Sequence, residues 1–150
     1  MGYRGKVEEI ERLLIEGRQA IGEMSSRDLL IAGAALYAGE GDKRDGAVGF
    51  TNSDPRMIAL FLRWLRECFE IDESRLRVSL YLHEGLDLVE ATHFWSCLTG
   101  IPTSQFNQPY RARADPSIRT ARHTRCCAKV RYGSASTHRS IMGLVAALLP

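Results

Sequence analysis

A chain of 150 residues with 45% apolar and 25% charged side chains has the length of one compact domain, enough for a real core and too little for two. No apolar run reaches the roughly 18 residues of a membrane-spanning helix. The start, Met1-Gly2-Tyr3-Arg4-Gly5-Lys6, lacks the apolar region of a secretory leader, so a cytoplasmic protein is expected.

The net charge of +2 conceals a polarity. Residues 1–102 carry 12 basic and 17 acidic side chains, a balance of −5; residues 103–150 carry 8 basic and one acidic, a balance of +7. Such a gradient favours a polyanionic partner for part of the surface.

In chain order, Val7, Ile10, Leu13, Leu14 and Ile21 recur at helical spacing over residues 6–22, weakened by Gly17 and Gly22. Residues 1–24 therefore read as an N-terminal helix ahead of one domain over 25–150. Ser25 and Asp28 fit a capping box that opens a second helix from Leu29 to about Gly39. Residues 47–52 form a strand candidate with Val48 and Phe50 on one face. Asp54-Pro55 is an N-cap acid followed by proline at the first helical position, and Met57, Ile58, Phe61, Leu62, Leu65 and Cys68 continue that helix.

Residues 75–83 alternate strictly: Leu76, Val78, Leu80 and Leu82 against Arg75, Arg77, Ser79, Tyr81 and His83. This is the pattern of a half-buried strand. Residues 86–98 are helical again, with Leu88, Ala91, Phe94, Trp95 and Leu98 as the apolar stripe. A long polar stretch over 102–125 precedes a strand over 126–132, and Ser136 is the expected cap of a last helix through Ile141, Leu144, Val145 and Leu148. The order predicts an α+β domain, with helices on one face of an antiparallel sheet.

The four cysteines do not suit a disulfide framework, since Cys126 and Cys127 are adjacent. His93 with Cys97 and His123 with Cys126 have zinc-compatible spacings, but no second pair completes four ligands. Reduced, mostly buried thiols are the expectation.

Two features carry chemistry. On the predicted sheet, Arg75, Arg77, Tyr81 and His83 alternate away from the core, as do Lys129 and Arg131 on the later strand, with no acid among them. Such a face suits a DNA backbone and groove, and the arginine-rich stretch from Arg111 through Arg113 to Arg125 could reach the duplex as an arm that orders on binding. In the second helix, Ala32, Gly33, Ala34, Ala35, Ala38 and Gly39 leave little side chain, which allows a second helix to approach closely. Glu40 stands at the negative end of that helix, where a carboxylate calls for a compensating cation; a divalent metal is one candidate.

Gly33-Ala34-Ala35-Leu36-Tyr37-Ala38-Gly39-Glu40-Gly41 resembles, position for position, the LAGLIDADG motif of homing endonucleases. Phe50-Thr51-Asn52-Ser53-Asp54-Pro55, Phe61-Leu62-Arg63-Trp64-Leu65, His83-Glu84, and the Phe94-Trp95…Gly100-Ile101-Pro102…Gln105-Phe106 stretch resemble the small single-motif bacterial, archaeal and phage-type branch. The likeness spans about residues 26–149. It implies an αββαββα-type domain and, with one motif per chain, a homodimer whose motif helices meet through Ala32, Gly33, Ala35 and Leu36. It implies Mg²⁺ or Mn²⁺ at Glu40, with Gly39 beside it, and Lys129 as a basic residue near the metal. It further implies hydrolysis of phosphodiester bonds in double-stranded DNA, and hence an association with the nucleoid. Glu40 departs from the more usual Asp, and some relatives of this fold are catalytically inactive DNA-binding regulators, which is the alternative. An interaction domain for an acidic protein is a third reading of the basic half.

Overall fold

The computed structural model describes residues 2–112 and 127–150. It opens with helix α1 (Tyr3–Ile21) and helix α2 (Ser26–Glu40). Strand β1 (Val48–Asn52), helix α3 (Pro55–Cys68) and, after a 3₁₀ turn at Glu73–Arg75, strand β2 (Leu76–His83) follow. Helix α4 (Leu88–Thr99), a 3₁₀ turn at Thr103–Gln105, strand β3 (Tyr110–Ala112), strand β4 (Cys127–Tyr132) and helix α5 (Ala135–Leu148) complete the chain.

Local chemistry sets the helix starts. The Ser25 hydroxyl accepts from the Asp28 amide at 3.1 Å, and the Ser25 amide donates to the Asp28 carboxylate at 2.9 Å; this is the expected reciprocal cap. That bonding also holds the Asp28 carboxyl below its ordinary range. Asp54 caps α3 through the Arg56 amide, ahead of Pro55. The cap of α5 is Ser134, which accepts from the Thr137 amide at 3.2 Å, rather than Ser136. Helix α5 begins at Ala135, ahead of its first buried residue His138, so the apolar stripe does not mark its cap.

The sheet order is β1-β4-β2-β3. β4 pairs antiparallel with β1 and with β2, whereas β3 runs parallel to β2. The sheet is therefore mixed, not antiparallel throughout. Behind α1 the order is α-β-α-β-α-β-β-α, which differs from an αββαββα plan because α3 separates the first two strands. The departure from the antiparallel expectation is the three-residue edge strand β3, inside the stretch read as polar connection.

Burial alternates along β2, where Leu76, Val78, Leu80 and Leu82 are buried, and along β4, where Ala128, Val130 and Tyr132 are buried. One sheet face thus lies under helices, as expected, and the other is open. Aromatic rings fill the space beneath α2 and α3. Phe50 and Phe61 stack with centroids 4.6 Å apart, and Tyr37 lies 6.1 Å from Trp64 and 6.4 Å from Phe61.

Trp64 also explains Gly33. Its indole Nε1 donates to the Leu30 carbonyl at 3.2 Å, and its ring occupies the place where a Cβ on Gly33 would stand. Gly33 is thus buried inside the chain's own core, against α3, and does not lie on an outer face of α2. Leu36 is half-buried against the same core and Ala32 is half-buried, while Ala35 and Gly39 are exposed. Among the described residues, no helix is long and apolar enough to cross a membrane.

Candidate nucleic-acid interface

Register arranges the open sheet face in rows. Gly49, Arg131 and Arg77 occupy one cross-strand row, Thr51, Lys129 and Ser79 the next, and Cys127, Tyr81 and Tyr110 a third. Four of the predicted contact residues therefore come together: Arg77, Tyr81, Lys129 and Arg131. His83 is exposed at the end of β2. The Tyr81 and Tyr110 rings stack with centroids 5.2 Å apart, inclined by 9°, and both are exposed. Tyr110 had no sequence signal, because a three-residue parallel edge strand shows no periodicity.

Two predicted contacts, Arg75 and Arg111, lie elsewhere. Arg75 ends the 3₁₀ turn rather than entering β2; its guanidinium covers the Tyr132 ring at 5.3 Å and donates to the Gly133 carbonyl. Asp72 causes this, since its carboxylate accepts from the Ser74 amide and opens a turn where alternation suggested strand. The Ser74 bonds in turn hold the Asp72 carboxyl below its ordinary range. Arg111 follows Tyr110 on β3 and alternates away from the Tyr81 row, exposed at the sheet edge. Arg113 and the arginine-rich stretch beyond it, with His123 and Cys126, lie outside the described residues.

Arg77 directs Nη1 to the Ser74 and Leu76 carbonyls, at 2.7 and 2.8 Å. Lys129 is engaged differently. Its ammonium lies 2.8 Å from the Asp42 carboxylate, and a side chain at Gly49 would collide with that carboxylate. Nothing in the spacing of the sequence links Asp42 to residue 129.

The exit of α2 is fastened at several points. The Tyr37 hydroxyl donates to the Asp42 carbonyl at 2.6 Å and accepts from the Gly49 amide at 3.3 Å. His138 on α5 meets the same carbonyl through Nε2 at 2.9 Å. The Asp42 amide donates to the Gly49 carbonyl at 2.8 Å, and the Tyr37 ring lies where a Cβ on Gly41 would be. Burial pushes the Tyr37 phenol up to about 12, with the Gly49 amide acting against the shift and the nearby Asp42 charge adding to it.

Glu40 is exposed at the last turn of α2. The cation at that terminus is Lys43, whose ammonium bonds the Tyr37 carbonyl at 3.1 Å and also the Gly41 carbonyl. A basic side chain on the final carbonyls is a common way to complete a helix end. The compensation expected from a metal is thus met in part by Lys43. Among the described residues, no group of three or more His, Cys, Asp or Glu side chains could hold a metal ion. His93 and Cys97 approach to 3.7 Å across one turn of α4. Cys68 and Cys127 are half-buried, but Cys97 is exposed, contrary to the expectation of mostly buried thiols.

Comparison of the chain with protein-family models, with curated proteins and with solved structures finds no match.

Proposed function

We propose that this protein is a LAGLIDADG-type, homodimeric DNA-binding protein that lays its open sheet face on duplex DNA and hydrolyses phosphodiester bonds with Mg²⁺ or Mn²⁺ at Glu40. The observation that carries the binding reading is the pairing of Arg77 directly opposite Arg131, one row from Lys129, on an uncovered sheet face. Like charges opposite one another weaken a strand pair, so folding stability alone does not account for that row. A phosphate backbone does, because each basic group near it releases counterions.

The outer side of α2 supports association with a second copy. Ile31, Ala35 and Gly39 recur every four residues and are exposed, while the opposite side is buried. Two copies meeting there would bring two Glu40 carboxylates together. One Glu40 carboxylate, with the Gly39 carbonyl beside it, is too few ligands for a hard cation that takes about six oxygens. A second copy, phosphate oxygens and water would supply the rest. The metal would act as a Lewis acid on the phosphate.

Lys43 at the α2 terminus and the Asp42–Lys129 ion pair favour a second reading: the same dimer as a regulator that binds DNA without cutting it. A target duplex selected from a random pool separates the two. Metal-dependent cleavage that is lost in Glu40→Gln supports the nuclease, and metal-independent binding with intact duplex supports the regulator. If neither Arg77→Ala nor Arg131→Ala lowers the salt dependence of binding, the sheet face is not the contact surface.

A further inference from the structure

Helix α1 has no buried residue over its 19 positions. Ile10, Leu13, Leu14 and Ile21 are 48%, 50%, 56% and 73% exposed, too much apolar surface for a helix whose work ends in solvent. The helix also contains Gly5 and Gly17, each of which weakens it in isolation. Its apolar face needs a partner.

The spacing identifies the partner's geometry. Tyr3, Val7, Ile10, Leu14, Gly17 and Ile21 follow one another at intervals of four, three, four, three and four, the seam of a coiled coil. Placing Val7, Leu14 and Ile21 at the first core position puts Lys6, Leu13 and Ala20 on one flank of the seam. Arg4, Glu11 and Arg18 fall on the other.

Flanking charge then selects orientation. In a parallel pair, Lys6 of each helix faces Glu11 of the other, twice by symmetry, and Arg18 faces Leu13, along which its methylenes can lie. An antiparallel pair would set Arg4 against Arg18 and Glu11 against Glu11. The four basic and four acidic side chains of residues 3–21 balance, which removes the cationic face that an anionic lipid surface would require.

We infer that α1 forms a parallel two-stranded coiled coil with α1 of a second copy of this chain. The four residues between Ile21 and Ser26 then hold the two α2 helices side by side. An antiparallel pair would send them to opposite ends of a rod roughly 28 Å long. The coiled coil requires neither DNA nor metal, and it brings together what association through Ala35 alone would have to find by diffusion.

Sedimentation equilibrium of the full chain and its variants tests this. Lys6→Glu and Glu11→Lys should each weaken the dimer about threefold or more, and the double reversal should recover the original affinity. Gly17→Leu adds a side chain where nothing lies within 4 Å and should tighten the dimer about tenfold. Ile10→Asp with Leu14→Asp should abolish it at micromolar concentration. A monomeric parent chain overturns the proposal, as does a dimer indifferent to the Gly17 and Ile10/Leu14 variants, or a double reversal no better than the single ones. Ala35→Glu serves as the separate probe of α2: loss of the dimer there, with all α1 variants silent, sinks the coiled coil and leaves the α2 contact standing.

Discussion

Lys129 and Asp42 form an ion pair of 2.8 Å across the open sheet face, in space that Gly49 leaves clear. Both side chains keep partial exposure, 28% and 44%, so the pair contributes little to stability, within about 1 kcal/mol. Its larger effect is to neutralise a cation on the face proposed to meet phosphate. Asp42→Asn leaves the backbone bonds of residue 42 intact and releases that charge. We expect tighter duplex binding and a salt slope steeper by about one per subunit, measured by fluorescence anisotropy across a salt series. An unchanged slope would show that Lys129 does not reach DNA.

Arg131 opposite Arg77 leads to an opposed pair of effects. Arg131→Ala removes a like-charge contact, so chemical denaturation should show unchanged or slightly raised stability, within about 0.5 kcal/mol. Duplex affinity should fall and its salt slope flatten by about one per subunit. A large loss of stability would mark Arg131 as structural instead.

Gly33 and Ala35 are two residues apart and should behave differently. A methyl at Gly33 overlaps the Trp64 ring, so Gly33→Ala should lower stability by about 1–3 kcal/mol through overpacking. Ala35 is exposed, and Ala35→Glu should leave the unfolding midpoint of the dilute protein nearly unchanged while weakening self-association. Urea titration and light scattering separate the two outcomes.

Tyr37 predicts an alkaline limb. Its phenol is raised to about 12 by burial, whereas an unfolded tyrosine titrates near 10. Between those values the unfolded chain binds fewer protons than the folded one, so stability falls as pH rises. The contribution is complete below about pH 10 and is lost as pH climbs through the folded value near 12. Melting temperatures followed from about pH 9 upward should decline more steeply in the parent chain than in Tyr37→Phe. Parallel curves would contradict the assignment.

Much of the scaffold was legible because its signals are local. The Ser25–Asp28 box, the Asp54-Pro55 start and the alternation of β2 each depend on residues a few positions apart, and each is present in the structure. What was misread depends on contacts that periodicity does not reveal, one of them distant in the chain and others only a few residues away. Gly33 looked like an external contact because Trp64, 31 residues later in the chain, is what fills its space. Glu40 looked uncompensated because Lys43 reaches back to carbonyls that a linear reading does not associate with it. Arg75 followed the alternation yet belongs to a turn set by Asp72. Strand β3 is too short to have a period.

Helix ends ordinarily fray, and a side chain on a frayed turn must be ordered before it can act. Just past α2 the Asp42 carbonyl is held by Tyr37 and His138, and Lys43 bonds the Tyr37 carbonyl of the last turn itself. Glu40 therefore projects from a backbone already fixed in place, and a ligand engaging its carboxylate has only side-chain rotamers left to restrict. In this fold the anchoring bonds lie behind the acid rather than around it, which leaves the carboxylate exposed while the backbone that carries it is preorganised.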